Sequence, residues 1–267
     1  MKKRLALGAI LTALCLSCCG CGLIERLFGE PNAVAGSPGL LETAAGVKED
    51  ALAVLDGREI SARRCLYLLA ECCDLQSADG AAPDWDAPRA EGETLGEAVK
   101  RQALQTAALY TEIELLAERY GCALTDADLA AIGEQRTAAQ EALGGAQGYE
   151  AALSRRGLTP ADAEEFASCY CLYRQLSALY ASPDSELSGQ GEAGEDFDAF
   201  LQRRLDAATL RARPEYEELE VAPFYTALCA ARAAPGGGKD ASEDAAGAAG
   251  SSTPGDSAAS AAAGSAS

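Results

Sequence analysis

Cysteine is the residue type in this chain with the widest choice of chemistry. Four of the 11 cysteines lie within the first 21 residues, and the other seven are spread between Cys65 and Cys229. A thiol can be acylated, form a disulfide, bind a metal or act as a nucleophile. The chain contains no histidine. This excludes Ser-His-Asp and Cys-His nucleophile systems and histidine zinc sites, so we predict no catalytic residue and no cofactor.

The first group of cysteines closes a segment that is typical of protein export. Basic residues at 2–4 are followed by an apolar run over 5–16, and then by small residues and cysteines over 17–22. The apolar run is too short to cross a bilayer, which needs roughly 20 apolar residues. We therefore interpret residues 1–20 as a signal peptide.

The end of this segment reads Ser-Cys-Cys-Gly-Cys-Gly and resembles the lipobox of bacterial lipoproteins. In that motif a small residue precedes the cysteine that is acylated and becomes the new N-terminus. Cys21, which follows Gly20, is the predicted lipidation site, and Cys18 is the alternative. An ordinary cleaved signal is a third interpretation. The resemblance implies a bacterial envelope protein that is held by lipid alone at the outer face of the cytoplasmic membrane.

The seven later cysteines make a poor disulfide framework, because their number is odd and they include no CxxC pair. We interpret most of them as small apolar residues packed on helices. A few disulfides or a reducing habitat are both compatible with this interpretation. A thiolate metal site is the alternative, and no metal ligand is assigned.

Composition limits the partners of the protein. The chain has 267 residues, 48% of them hydrophobic, which is enough for a substantial core. Its net charge of −19 argues against nucleic acid as a partner, because phosphates require Lys and Arg. The same charge argues against direct binding to anionic lipid head groups.

The pattern of apolar residues predicts a mainly α-helical protein. We expect a tether over 21–48 and a helical domain over 49–230, interrupted by loops near 76–93 and 182–194. Residues 231–267 are almost entirely small or polar and are predicted to be a disordered Ala/Gly/Ser-rich tail. Predicted helices run from Ser61 to about Leu75, Thr94 to Gly121, Thr125 to about Gly144, Tyr149 to Arg156, Thr159 to about Tyr180 and Asp196 to Ala208.

Three segments resemble the N-terminal domain of SurA-type and PrsA-type extracytoplasmic chaperones. Residues 51–75 contain Leu-Asp-Gly-Arg-Glu-Ile-Ser before a helix, similar to the V-x-G-x-x-I-S opening of that domain. Residues 99–132 match its long helix and the Leu-Thr-Asp-Ala-Asp-Leu that follows, and residues 157–180 match the next helix. The resemblance implies a SurA N-terminal-like helical domain. It also implies a short two-stranded β element that joins residues 51–55 to 209–213.

The family usually inserts a parvulin-type prolyl isomerase domain after the last matched helix, where this chain has only the loop at 182–194. The resemblance therefore implies the chaperone half without the enzyme. The function expected is a membrane-anchored holdase that binds unfolded exported polypeptides. The alternative is a non-catalytic lipoprotein that docks one envelope protein.

Four aromatic residues are candidates for contact with a client polypeptide. Tyr170, Tyr173 and Tyr180 recur at helical spacing, and tyrosine combines apolar area with a polar tip. Trp85 lies in a loop between prolines. Ordinary core packing is the usual explanation of such a tyrosine stripe, and Trp85 can instead cover the edge of the core. Both interpretations stay open from the sequence.

Overall fold

The computed structural model describes residues 39–77, 83–89 and 92–233. Within these ranges the chain forms nine α-helices and three β-strands, so the predicted mainly α-helical class is confirmed. In chain order the elements are α1 (Leu40–Ala45), β1 (Ala51–Leu55), β2 (Arg58–Ser61), α2 (Ala62–Gln76), α3 (Leu95–Tyr120), α4 (Asp126–Ala142), α5 (Ala146–Arg155), α6 (Pro160–Ala181), α7 (Phe197–Ala207), β3 (Leu210–Ala212), α8 (Pro214–Glu217) and α9 (Val221–Ala233). None of these helices combines the length and apolar character needed to cross a membrane.

Capping residues fix the starts of the three longest helices. Thr94, Thr125 and Thr159 each accept a hydrogen bond from the backbone N–H three residues later. An acidic side chain at that third position bonds back to the threonine N–H, which completes a capping box. The predicted starts of α3, α4 and α6 are confirmed, because each depends on a local motif that tertiary packing does not override.

The sheet has three antiparallel strands in the order β2-β1-β3. Ala53 lies opposite Ala212, so the predicted pairing of residues 51–55 with 209–213 is confirmed. The prediction of a two-stranded element was wrong, because β2 pairs with the other edge of β1. Asp56 and Gly57 have positive φ values of 47° and 89° and form a tight turn that sends the chain straight back. β2 escaped detection because Ile60 is its single buried residue.

Two hydrophobic clusters build the interior. The larger lies where α2 packs on α3, beneath the sheet, and includes the fully buried Cys65 and Leu69. The smaller joins α3, α6 and α7 and includes Leu116, Leu176 and Phe200. Because α3 contributes to both clusters, it is the central helix of the described domain.

Folded structure begins earlier than the predicted tether boundary at 48. Leu41 of α1 is fully buried in the larger cluster and packs over Gly157, where an added Cβ would lie 2.3 Å from Leu41 Cγ. Gly157 has a φ of +76°, so glycine is favoured there by both conformation and space. The predicted C-terminal boundary of the tether lies too late in the chain, because α1 is only six residues long and is too short to show a helical period.

The C-terminal end of the domain also extends further than expected. α9 reaches Ala233 and buries Phe224 and Leu228 against the larger cluster. The pattern of apolar residues in the sequence predicts no helix in this segment. The predicted signal peptide and most of the predicted tail lie outside the described residues, as do Cys18 and Cys21.

Candidate functional site

The candidate tyrosines lie on α6. Thr159 caps the helix and Pro160 takes its first position, where a missing N–H costs nothing. The helix then runs without interruption to Ala181. Its period places Tyr170, Tyr173 and Tyr180 along one side, so α6 displays them as a row.

Helix α7 supplies the surface against which this row packs. The ring centroids of Tyr173 and Phe197 are 5.4 Å apart, and those of Tyr180 and Phe200 are 5.0 Å apart. Tyr170 stacks on Tyr173 at 6.5 Å and extends the row outward. We call these five side chains the aromatic row. All three tyrosines are half-buried, so each has one part of its ring packed and another part open to solvent.

Hydrogen bonds hold two of the tyrosines in place. The Tyr173 hydroxyl donates to Asp198 Oδ1 at 2.6 Å, and the Tyr180 hydroxyl donates to the Glu195 carbonyl oxygen at 3.2 Å. The hydroxyl groups of Tyr173 and Tyr180 therefore already have hydrogen-bond acceptors within the chain. What the row offers a ligand is the exposed part of its rings.

A groove of about 380 Å³ opens beside Tyr180, between the end of α6 and the start of α7. A Cβ at Gly191 would lie 2.1 Å from the Tyr180 hydroxyl oxygen, so the loop can approach the ring only as glycine. Besides Tyr180, Phe197 and Gly191, the lining consists of small residues and three carboxylates: Ser177, Ala181, Ser188, Glu192, Glu195 and Asp196.

The groove rim is negatively charged at neutral pH. Hydrogen bonds from Arg203, at 2.8 Å and 2.9 Å, lower the pKa of Glu195 to about 2. Burial, followed by the charge of Glu195, raises the pKa of Tyr180. The Glu192 carboxylate lies 3.7 Å from Arg203 and is 73% exposed. A cationic side chain entering the groove would meet carboxylates at the rim and aromatic faces on the wall.

Trp85 lies in a different part of the molecule. Its ring meets Tyr225 of α9 edge-on at 5.6 Å, and its carbonyl oxygen accepts a hydrogen bond from Gly96 N–H at 2.8 Å. It is half-buried at the edge of the larger cluster, whereas Tyr173 and Tyr180 belong to the smaller one. Trp85 thus covers the core beside the start of α3, one of the two alternatives left open by the sequence.

Comparison with known proteins gives no relative. No family model, curated protein or solved structure matches this chain.

An ionic cluster around Arg64, whose own side chain is 10% exposed, was not predicted from the sequence. The Arg64 guanidinium bonds Glu114 at 2.6 Å and 3.0 Å and Thr111 at 3.2 Å, and it also pairs with Glu165. These bonds join α2 to α3 and α6. Another pair, Glu112 with Arg204, joins α3 to α7. The partners of Arg64 are about 50 and 101 residues away in sequence, so no local pattern announces them.

None of the seven cysteines of the described ranges forms a disulfide, and five of them are buried. The interpretation of most of them as core residues is confirmed. Burial raises the pKa of Cys65 and of Cys72 to about 12, so both stay protonated near neutral pH. Among the described residues, no group of three or more Cys, Asp or Glu side chains has an arrangement that could hold a metal ion.

Proposed function

We propose that this protein is a lipid-anchored extracytoplasmic chaperone of the holdase type, which binds unfolded exported polypeptides without catalysing a reaction. The N-terminal signal with its terminal cysteines supports the location and the anchor. The resemblance of residues 51–181 to the SurA-type and PrsA-type domain supports the chaperone class. The proposed anchor is Cys21, with Cys18 as the alternative.

The observation that carries the proposal is the aromatic row with its acidic groove. Half-exposed tyrosine rings provide apolar area that does not depend on a particular client sequence. Glu192 and Asp196 at the rim would favour segments that carry Lys or Arg near their apolar residues. A net charge of −19 would keep a complex with an aggregation-prone client in solution.

One observation favours a second function, that of a lipoprotein that docks one envelope protein. The hydroxyls of Tyr173 and Tyr180 are fixed by hydrogen bonds, so the row is a preorganised surface. Preorganised aromatic anchors are typical of interfaces with one dedicated partner. Holdases that accept many clients more often use flexible, methionine-rich surfaces, and this chain has one Met.

The test is suppression of aggregation by the chain from Gly22 onward, which lacks the lipid. Several unrelated proteins are diluted from denaturant, and light scattering is recorded with and without near-stoichiometric protein. The site variant is Tyr170→Ser, at the outer end of the aromatic row. The matched control is Tyr120→Ser, another half-buried helical tyrosine that lies outside the row.

A holdase suppresses scattering of most clients, and Tyr170→Ser weakens this while Tyr120→Ser does not. Absence of suppression with every client would rule out the general chaperone and leave the dedicated partner. Equal activity of the two variants would mean that clients bind elsewhere on the protein.

A further inference from the structure

Two cysteines lie where α9 meets the C-terminal end of α2. The Tyr225 hydroxyl donates to Asp74 Oδ1 at 2.8 Å, and Arg232 Nη1 donates to the same carboxylate at 2.9 Å and 3.0 Å. Tyr225 and Arg232 are two helical turns apart, so they lie on one side of α9. Cys229 lies between them on that side, and Cys73 directly precedes Asp74. The shared carboxylate therefore brings the turn of α9 that carries Cys229 alongside the turn of α2 that carries Cys73.

Electrostatic effects also place these two side chains near each other. Burial is the largest cause of the raised pKa of Cys73, the charge of Cys229 adds to the rise, and Arg232 opposes it. Burial also raises the pKa of Cys65 and of Cys72, but Cys229 makes no contribution there. Cys73 is therefore the cysteine of α2 that Cys229 approaches.

The two thiols differ in their access to solvent. Cys229 is exposed, whereas Cys73 is fully buried. A dissolved disulfide compound can therefore reach Cys229 and cannot reach Cys73 directly. An accessible thiol with a second thiol beside it is the arrangement in which the second cysteine resolves a mixed disulfide.

We propose that Cys73 and Cys229 form a disulfide when the protein meets an oxidant of the disulfide class. The Cys229 thiolate attacks one sulfur of the oxidant, forms a mixed disulfide and releases the other half as a thiolate. Cys73 then gives its proton to solvent and attacks the Cys229 sulfur, which releases the second half. Two protein thiols are oxidised, and the oxidant disulfide is reduced to two thiols.

The bond would connect the N-terminal and C-terminal parts of the domain. Asp74 and Tyr225, which lie beside the two cysteines, are 151 residues apart in sequence. A disulfide that closes so long a loop restricts the unfolded chain strongly and so favours the folded one. Disulfides persist in the bacterial envelope, so formation of this bond in the cell rests on the location proposed above and not on the holdase activity.

The direct test is oxidation of the reduced chain from Gly22 onward by oxidised glutathione. Remaining thiols are alkylated, and the intact mass counts how many of the seven have been lost. We expect the loss of two thiols with no glutathione retained. Proteolysis without reduction, followed by mass spectrometry, should then recover the peptides of Cys73 and Cys229 joined. This measurement uses the unmodified residues and does not depend on how any variant folds.

Two neighbouring substitutions identify the resolving thiol. Cys73→Ala and Cys72→Ala are a matched pair, because both cysteines are buried on α2. Cys73→Ala should stop at the mixed disulfide and keep one glutathione on Cys229. Cys72→Ala should form the internal bond as the unmodified chain does. Cys229→Ser, at an exposed position, should react with glutathione roughly tenfold more slowly or not at all.

The bond is also expected to change stability. The midpoint of thermal unfolding should be roughly 5–10 °C higher for the oxidised chain than for the reduced chain. Cys229→Ser should have the same midpoint before and after treatment with oxidised glutathione, which separates the effect of the bond from that of the reagent.

Four results would overturn the proposal: no loss of thiols, a bond between other cysteines, an internal bond in Cys73→Ala, or no rise in the midpoint. The aggregation assay separates this failure from failure of the proposed function, because the reduced chain is used there. Suppression of aggregation without disulfide formation would reject only the disulfide. Disulfide formation without suppression would keep the disulfide and reject the holdase.

Discussion

At the scale of single residues, Arg64 is the most consequential side chain of the core. Its side chain is 10% exposed and pairs with two carboxylates from different helices. Removing one partner of a buried ion pair leaves the others uncompensated in a poorly solvated place. The cluster is therefore expected to contribute to stability mainly through the penalty for breaking it.

We predict that Arg64→Ala lowers the free energy of unfolding by about 2 kcal/mol or more. This is below the ~3–5 kcal/mol for fully buried pairs, because Glu114 is 28% exposed. The control is Arg58→Ala, whose pair with Glu118 is largely exposed and should contribute about 0–1 kcal/mol. Urea unfolding measures both values. Equal losses in the two variants would contradict a special role for Arg64.

The lowered pKa of Glu195 predicts that the stability of the protein depends on pH. Hydrogen bonds from Arg203 lower the pKa of Glu195 from 4.5 to about 2. The ionised form of Glu195 therefore stabilises the folded protein. The stabilisation is complete above the unfolded pKa near 4.5 and is lost as pH falls from there toward about 2. Glu195→Gln should therefore destabilise the protein at neutral pH, and the difference from the unmodified chain should shrink below pH 4.5. Urea unfolding of both proteins across this pH range tests the prediction. A difference in the free energy of unfolding that does not change with pH would refute it.

At the scale of elements, those that begin at a local sequence motif could be predicted, and those that depend on long-range packing could not. The starts of α3, α4 and α6 were predictable, because a threonine and an acid three residues later form a closed local motif. The tyrosines of the aromatic row were also predictable, because helical spacing alone places them on one side of α6, whereas Phe197 and Phe200 come from α7 and were not predicted. α1 and α9 were missed because burial against distant residues stabilises them, as the contact of Leu41 with Gly157 illustrates. β2 was missed because only one of its four residues is buried.

The contact between Leu41 and Gly157 gives a prediction about α1. Gly157→Ala should lower the free energy of unfolding by more than Gly121→Ala does, because the new methyl group displaces Leu41. Both glycines have positive φ, +76° and +68°, and each substitution costs about 1–2 kcal/mol for that reason. No atom lies within 4 Å of a Cβ at Gly121. The additional loss of unfolding free energy in Gly157→Ala therefore measures the clash with Leu41, and we expect about 1–3 kcal/mol. Thermal unfolding compares the two variants, and equal effects would mean that α1 adjusts without cost.

At the scale of the whole molecule, strand pairing and ion pairs join the N-terminal and C-terminal parts of the domain. β1 pairs with β3, and Arg213 pairs with Glu59, 154 residues away in sequence. Arg232 of α9 binds Asp74 of α2 at 2.9 Å. The resemblance to a chaperone domain suggested the joining of the ends, but the ion pairs that accompany it follow no sequence motif.

We predict that deleting residues 209–267 abolishes cooperative unfolding, because β1 loses its partner and the larger cluster loses α9. Deleting only residues 234–267 should leave the unfolding midpoint unchanged, since that segment is poor in large apolar residues. Circular dichroism during thermal unfolding distinguishes the two truncations. A cooperative transition in the shorter chain would show that β3 and α9 are accessory to the fold.

The central place of β1 has a consequence for the timing of folding. β1 is among the first parts of the domain to be synthesised, and its partner β3 is among the last. Until β3 arrives, the growing chain cannot close its sheet, and such non-local pairing makes folding slow. Under the proposal that the protein is exported, this order of strands would leave the sheet unclosed until late in synthesis, and a translocation channel requires an unfolded chain.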